Sequence, residues 1–313
     1  MKPWPWLGDA AATAARRQSL RRLLGPLPER GEAPQGELIG SEVRTFAHIE
    51  QWRLQLNCEE AVPALLLLPP AGALRGLVLY CHAHGNDFAV GKGELLQGRP
   101  ALQSPPYGEV LPPLGFAVLA IDHWCFGERA HRSERAWVKQ LLWDGCTLWG
   151  YRVHDGLMAC EWLRGQARFA GLPMAALGLS MGSTMAVWLA ALDSGIERCI
   201  ELCCLADFDS LLACGAHDRH GEYYFVPGLR RDFSAAEIAA LIAPRPHLSL
   251  LGRDDPLTPP AGAQRVDQAL RAAYACLGRA DAWQQAVFDC GHAETPAMRG
   301  RVLQSLEAMA PRG

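Results

Sequence analysis

No apolar stretch in the 313 residues approaches the length needed to cross a bilayer; the longest runs, such as Ala64-Leu65-Leu66-Leu67-Leu68, are strand-sized and stop at prolines. That absence excludes a helical membrane span. Two arginine pairs, Arg16-Arg17 and Arg21-Arg22, stand near the N-terminus, but Gly25-Pro26-Leu27-Pro28 follows them in place of the apolar segment of an export signal, so the stretch reads as a solvated amphipathic helix. An excess of positive charge is also missing. Lys and Arg number 30 against 33 Asp and Glu, a formal charge of -3, which gives no general attraction to phosphate backbones or anionic lipid. Neither nucleic acid nor a membrane is an expected partner. The 11 cysteines are odd in number and sit mostly in apolar runs, as do Cys160, Cys199, Cys203 and Cys204, which speaks against a disulfide framework and for reduced thiols in the cytoplasm. Internal repeats and low-complexity tracts are absent.

What is present is enough apolar residue, half of the chain, for one large core. Residues 9–24 read as a helix, followed by a Pro/Gly-rich connector to about residue 40, so residues 1–40 look like an appendage to a domain spanning 41–313. From Val43 to Leu68 come extended segments, VRTFAHIEQWRLQLNC and VPALLLLPP, expected as an antiparallel lead-in pair. Beyond them the apolar runs GLVLYC, FAVLAI, MAALGL, CIELCC, HLSLLG and QQAVFDC alternate with helices expected to begin near Arg152, Met181, Ala235, Ala261 and Thr295. Runs apolar on both faces belong to a mostly parallel sheet with helices on both sides, an α/β fold. Two long connections, about 123–150 and 206–233, follow strands at the edge where open sheets bind ligands.

The stretch ALGLSMGSTMAVWLAAL sets Gly178-Leu179-Ser180-Met181-Gly182 between an expected strand and an expected helix with small residues in its first turns. This is a G-x-S-x-G elbow in the context it needs, with the helix N-terminus favouring negative charge at the serine. A serine hydroxyl needs a base, and the base an orienting carboxylate. The last strand runs into Gly291-His292-Ala293-Glu294, which makes His292 the expected base. The strand before it runs into Arg253-Asp254-Asp255-Pro256, and either aspartate leaves it toward the imidazole. The stretch CHAHGND, residues 81–87, suggests a second chemistry, because histidines at i and i+2 on a strand end can share a metal ion. Asn86 and Asp87 stand where such motifs need further ligands, so no metal is expected.

Together these residues resemble the α/β-hydrolase superfamily, and within it the dienelactone-hydrolase-like and acetyl-xylan-esterase-like bacterial enzymes. The resemblance covers most of the chain from about residue 60. It rests on His82-Ala83-His84-Gly85, on FAVLAIDHWCFGER with Asp122 and Gly127, on Gly178 to Gly182, on YYFVPGL, on IAPRPHLSLLGRDDPLTP and on Gly291-His292. It implies an α/β-hydrolase fold and a serine hydrolase, without cofactor, that cleaves short acyl esters, acetylated sugars or lactones through an acyl-enzyme. Asp255, three residues after Gly252 and just before Pro256, resembles the acid of such enzymes, with Asp254 left to cap or to pair with Arg253. The His-Ala-His-Gly turn stands where relatives keep an oxyanion donor, so the N–H groups of Met181 and of His84, or alternatively Gly85, are expected to hold the oxyanion. Thioesterase or peptidase action by the same triad is the alternative within enzymes; a binding protein that has lost catalysis is the alternative outside them.

Four residues are expected around the substrate: His82, Trp124, His217 and Tyr223. Cys214, His217 and His220 have C-x-x-H-x-x-H spacing but read as a polar loop over the site and not as zinc ligands. The tryptophans at 124, 137, 143 and 149 are more often buried against the body than used as a sugar platform. Glu128 is expected to pair with Arg129, and Glu201, inside CIELCC, to be a satisfied buried carboxylate.

Overall fold

The structure, a computed structural model, describes residues 3–203 and 205–309; Cys204 lies outside the described residues. Nine strands form one sheet: β1 (Gln35–Val43), β2 (His48–Gln55), β3 (Val62–Leu68), β4 (Gly76–Cys81), β5 (Phe116–Ile121), β6 (Met174–Leu179), β7 (Arg198–Leu202), β8 (His247–Gly252) and β9 (Trp283–Phe288). Their spatial order is β1-β2-β3-β5-β4-β6-β7-β8-β9. The first three joins are antiparallel and all the others parallel.

The apolar runs are buried on both faces because successive residues of a strand point to opposite sides, and both sides are covered. Along β4, Leu77, Leu79 and Cys81 join one buried cluster while Val78 and Tyr80 join another. The first cluster is roofed by α1 (Ala10–Leu23), α3 (Leu148–Gly165), α4 (Met181–Leu192), α5 (Ala235–Ala240) and α6 (Pro260–Cys276). The second is covered by α7 (Pro296–Glu307) and two short helices, Glu94–Gln97 and Tyr107–Val110. A further helix, α2 (Glu134–Trp143), lies in the first long connection. Among the described residues no helix is long and apolar enough to cross a membrane.

Four expectations change. The lead-in has three strands, because VRTFAHIEQWRLQLNC contains a turn in which Arg44 N–H bonds to Ala47 O at 2.8 Å; the turn carries neither Gly nor Pro and leaves no signal in the sequence. Residues 35–40, read as connector, are the first part of edge strand β1. The N-terminal helix is not solvated on all sides either. Leu20 is fully buried, and the Arg17 guanidinium donates to Ala191 O and Leu241 O, both at 2.9 Å. Those carbonyls end α4 and α5, and a helix leaves its last carbonyls without internal partners, so one arginine fork joins three helices. Finally, α3 starts at Leu148, four residues before the expected Arg152, where Thr147 accepts from Gly150 N–H as its N-cap.

Candidate active site

Strand β6 ends at Leu179 and α4 begins at Met181, leaving Ser180 alone on the turn with φ 60° and ψ −120°. That conformation is unfavourable for a residue with a side chain and is held by a bond from Ser180 N–H to Leu202 O at 2.9 Å. The flanking glycines are needed for space. A Cβ on Gly182 would lie 1.9 Å from Cys81 O, and one on Gly178 would lie 2.3 Å from the Gly182 carbonyl carbon. The end of β4 therefore packs directly behind the elbow.

The next strand ends bring two of the expected residues together. Asp255, buried, accepts at Oδ2 from His292 Nδ1 at 2.8 Å, while its Oδ1 accepts from Leu257 N–H at 2.9 Å. The carboxylate fixes the tautomer: Nδ1 carries the proton and Nε2 keeps its lone pair. Asp254 is exposed and contributes only its main-chain N–H, to Cys290 O. The two loops are locked by close approach, since a Cβ on Gly252 would lie 2.1 Å from Gly291 O. No hydrogen bond joins Ser180 Oγ to His292 in this structure. Ser180, Asp255 and His292 lie at the C-terminal ends of β6, β8 and β9, on one edge of the sheet.

The His82-Ala83-His84-Gly85 turn separates into unlike parts. His82 is fully buried, its Nδ1 bonded to Ala83 O at 3.0 Å and its Nε2 accepting from His123 N–H at 3.3 Å. Burial pushes its pKa down to about 3, so it is a neutral core residue and not the pocket residue expected. Ala83 N–H is taken by both oxygens of buried Glu94, at 3.1 Å each. The N–H groups of His84 and Gly85 donate to no other described residue. The His84 ring stacks on Tyr223, centroids 5.0 Å apart, and its Nε2 bonds to Glu134 at 3.1 Å.

The first long connection meets the His84 turn through Glu134, bonded to the His84 ring, and the second through Tyr223, stacked on the same ring. Trp124 is 1% exposed, wedged against Trp137 and Tyr151 with the Arg129 guanidinium 4.3 Å above its ring, so it belongs to the core and not to a pocket. His220 Nε2 bonds to Leu257 O at 3.2 Å, in the loop that carries Asp255, and Tyr223 lies under His84. His217 is half-buried, bonded to Leu211 O, and lines with His220, Leu142 and Phe225 a cavity of about 530 Å³. Cys214 turns away to Ser210 O, so C-x-x-H-x-x-H is not a ligand set.

Two functional neighbours left no signal in the sequence. Arg152, fully buried, donates to Glu134 at 2.6 Å and to Trp124 O, and its Nη1 lies 3.4 Å from Met181 Sδ. Glu134, buried yet bonded by His84 and faced by Arg152, keeps its carboxyl below the usual range. The pair ties α2 and α3 to both the elbow and the His84 turn. Glu128 and Arg129 do not pair: Glu128 meets Lys92 and Arg53, while Arg129 meets Glu60 and Asp155.

Behind the elbow, Glu201 is only half satisfied. Its Oε2 accepts from Ser183 at 2.8 Å, but its Oε1 accepts no hydrogen bond, with His247 Nε2 3.8 Å away, and burial pushes its pKa up to about 7. A folded value above the ordinary 4.5 means that the native chain holds this proton more tightly than the unfolded chain. The resulting stability is full below about pH 4.5 and is lost as pH rises through about 7. A Glu201→Gln variant, neutral throughout, is therefore expected to gain on the native protein by on the order of 3 kcal/mol across that window. Thermal melts from pH 4.5 to 8 would show the gap opening; parallel curves would rule it out.

No protein-family model matches the chain. A protein of Bacillus subtilis (strain 168), "Putative hydrolase YtaP", is 40% identical over 299 residues, which is 94% of this chain and 98% of that one. Among solved structures, a glucuronoyl esterase from Solibacter usitatus superposes with a TM-score of 0.68 at 15% identity, covering 97% of this chain and 94% of its own. Acetyl xylan esterase 1 from Thermoanaerobacterium sp. JW/SL YS485 superposes with a TM-score of 0.64 at 14% identity, with coverage of 97% and 94%. Those two likenesses are of fold. The first is of sequence along nearly the full length, and by it the chain belongs to the family of YtaP, on the α/β-hydrolase fold.

Proposed function

We propose that the chain is a carboxylic ester hydrolase in which Ser180, His292 and Asp255 form the triad. The observation that carries this is the 2.8 Å bond from His292 Nδ1 to buried Asp255, which leaves Nε2 as a base on the edge where the strained Ser180 stands. Ser180 attacks the ester carbonyl, Nε2 takes its proton and passes it to the leaving alcohol, and Asp255 stabilises the imidazolium. Water then repeats the sequence on the acyl-enzyme. The oxyanion is held by the N–H of Met181, an orphan donor of the first turn of α4, and by that of His84, with Gly85 the neighbouring choice. Each such donor is worth about 3 kcal/mol of barrier. The resident chemistry requires no cofactor, and the partner is a small-molecule ester.

The name of the superposed acetyl xylan esterase favours short acyl esters, including acetylated sugars, and lactones remain in the same chemical class. Thioesters and peptides differ mainly in their leaving group. A panel of aryl acetates, acetylated sugars, lactones, thioesters and peptides is expected to show fastest turnover on the oxygen esters. Fluorophosphonate labelling is expected at Ser180; a folded protein that takes no label would make this a binding protein and end the proposal.

A further inference from the structure

Beside the proposed triad stands a third side chain with ligand chemistry. Cys203 Sγ, a carboxylate oxygen of Asp255 and a ring nitrogen of His292 lie within 4.8 Å of one another. Among the described residues no other set of three or more His, Cys, Asp and Glu side chains converges in this way. Cys203 follows β7 in left-handed backbone, φ 56°, a conformation uncommon for a residue with a side chain. Its sulfur lies 3.8 Å from Ala293 O, the residue after His292, and Cys290 Sγ lies 3.5 Å from the same oxygen. Cys203 and Asp255 are buried, while the His292 side chain is 23% exposed and opens the cluster to solvent.

A thiol, an imidazole and a carboxylate are ligand types of zinc and its soft neighbours, whereas magnesium and calcium take oxygen sets. Zinc bonds of about 2.0 to 2.3 Å in tetrahedral array put ligand atoms roughly 3.3 to 3.8 Å apart, so closing this set takes displacements of about an ångström or less. We propose that Cys203, Asp255 and His292 form a binding site for a thiophilic divalent cation, Zn²⁺ above all, and that its occupation silences the hydrolase site. On binding, the Cys203 S–H proton leaves to solvent and the sulfur electron pair forms the metal–sulfur bond. At Nε2 of His292 the ion occupies the lone pair meant for the Ser180 proton; at Nδ1 it shifts the ring proton onto Nε2. Either way the base is lost.

The silencing rests on the proposed role of His292; the binding does not. Co²⁺ added to a Ser180→Ala protein tests the ligands alone, with thiolate-to-cobalt charge-transfer absorption expected. That absorption is expected to vanish in Ser180→Ala/Cys203→Ser, with Cys203→Ala as a second replacement should the serine variant fold poorly. In ester turnover, Zn²⁺ is expected to inhibit reversibly, with recovery on chelation. Cys203→Ser is expected to need at least tenfold more Zn²⁺ than the native protein for the same fractional inhibition, each measured against its own zinc-free turnover. Absence of the cobalt band, or an unchanged band without the Cys203 thiol, overturns the site. A band accompanied by undiminished ester turnover at saturating Zn²⁺ overturns the silencing. If no ester is turned over at all, the hydrolase reading fails and the cobalt result still decides the site.

Discussion

Ser180→Ala is expected to lower kcat on short p-nitrophenyl esters by about 10⁵- to 10⁶-fold, the scale seen when a triad nucleophile is removed. The alanine leaves the elbow intact. The bonds that hold the turn, Ser180 N–H to Leu202 O and Thr184 N–H to Ser180 O, come from the main chain and survive the change. The Ser180 backbone is unfavourable for any residue with a Cβ, so serine and alanine bear the same cost and the melting temperature is expected to stay within a few degrees. Turnover and a thermal melt on the same preparation separate lost chemistry from lost fold. Turnover near the native rate would remove Ser180 from the mechanism.

Asp255→Asn is expected to cost about 10⁴-fold in kcat, and Asp254→Asn only a few-fold. The difference follows from what each carboxylate touches. Asp255 is 3% exposed and its Oδ2 holds the His292 Nδ1 proton, so the ring is presented with Nε2 unprotonated. An asparagine there either offers its N–H₂ to Nδ1, which forces the proton onto Nε2, or offers its oxygen with no charge to stabilise the imidazolium. Asp254 is exposed and contributes a main-chain bond that asparagine keeps. Kinetics of the two variants under identical conditions decide the ranking, and the reverse order would exchange the roles.

Much of the frame is legible in the chain because it depends on local pattern. Six-residue apolar runs such as FAVLAI and MAALGL are too short for buried helices and too uniformly apolar for a half-exposed sheet, and both are central strands. The elbow is legible for a similar reason: glycines at 178 and 182 around Ser180 answer to a crowding that any chain making this turn must relieve. That His82 and Trp124 turn into the core is not legible in the sequence, because proximity to a strand's end does not say which way a ring turns. Each is anchored by distant groups, His82 by His123 N–H and Trp124 by Arg129 and Tyr151. Arg152 and Glu134 are ordinary helical charges by pattern; only the folding of α2 against α3 buries them together.

By itself the sequence determined the layers: the short buried strands from β4 onward, their alternation with helices, the position of the Ser180 turn and the chain order of serine, aspartate and histidine. These follow from backbone sterics and from the solvent preference of neighbouring residues, which act within a few positions. Tertiary structure decided which aspartate meets His292, which histidine of residues 82 and 84 faces the core, and that Cys203 stands beside both ends of the Asp255–His292 bond. Those outcomes depend on directions of side chains carried by strands far apart in the chain, and the packing of the sheet is what brings them within a few ångströms of each other.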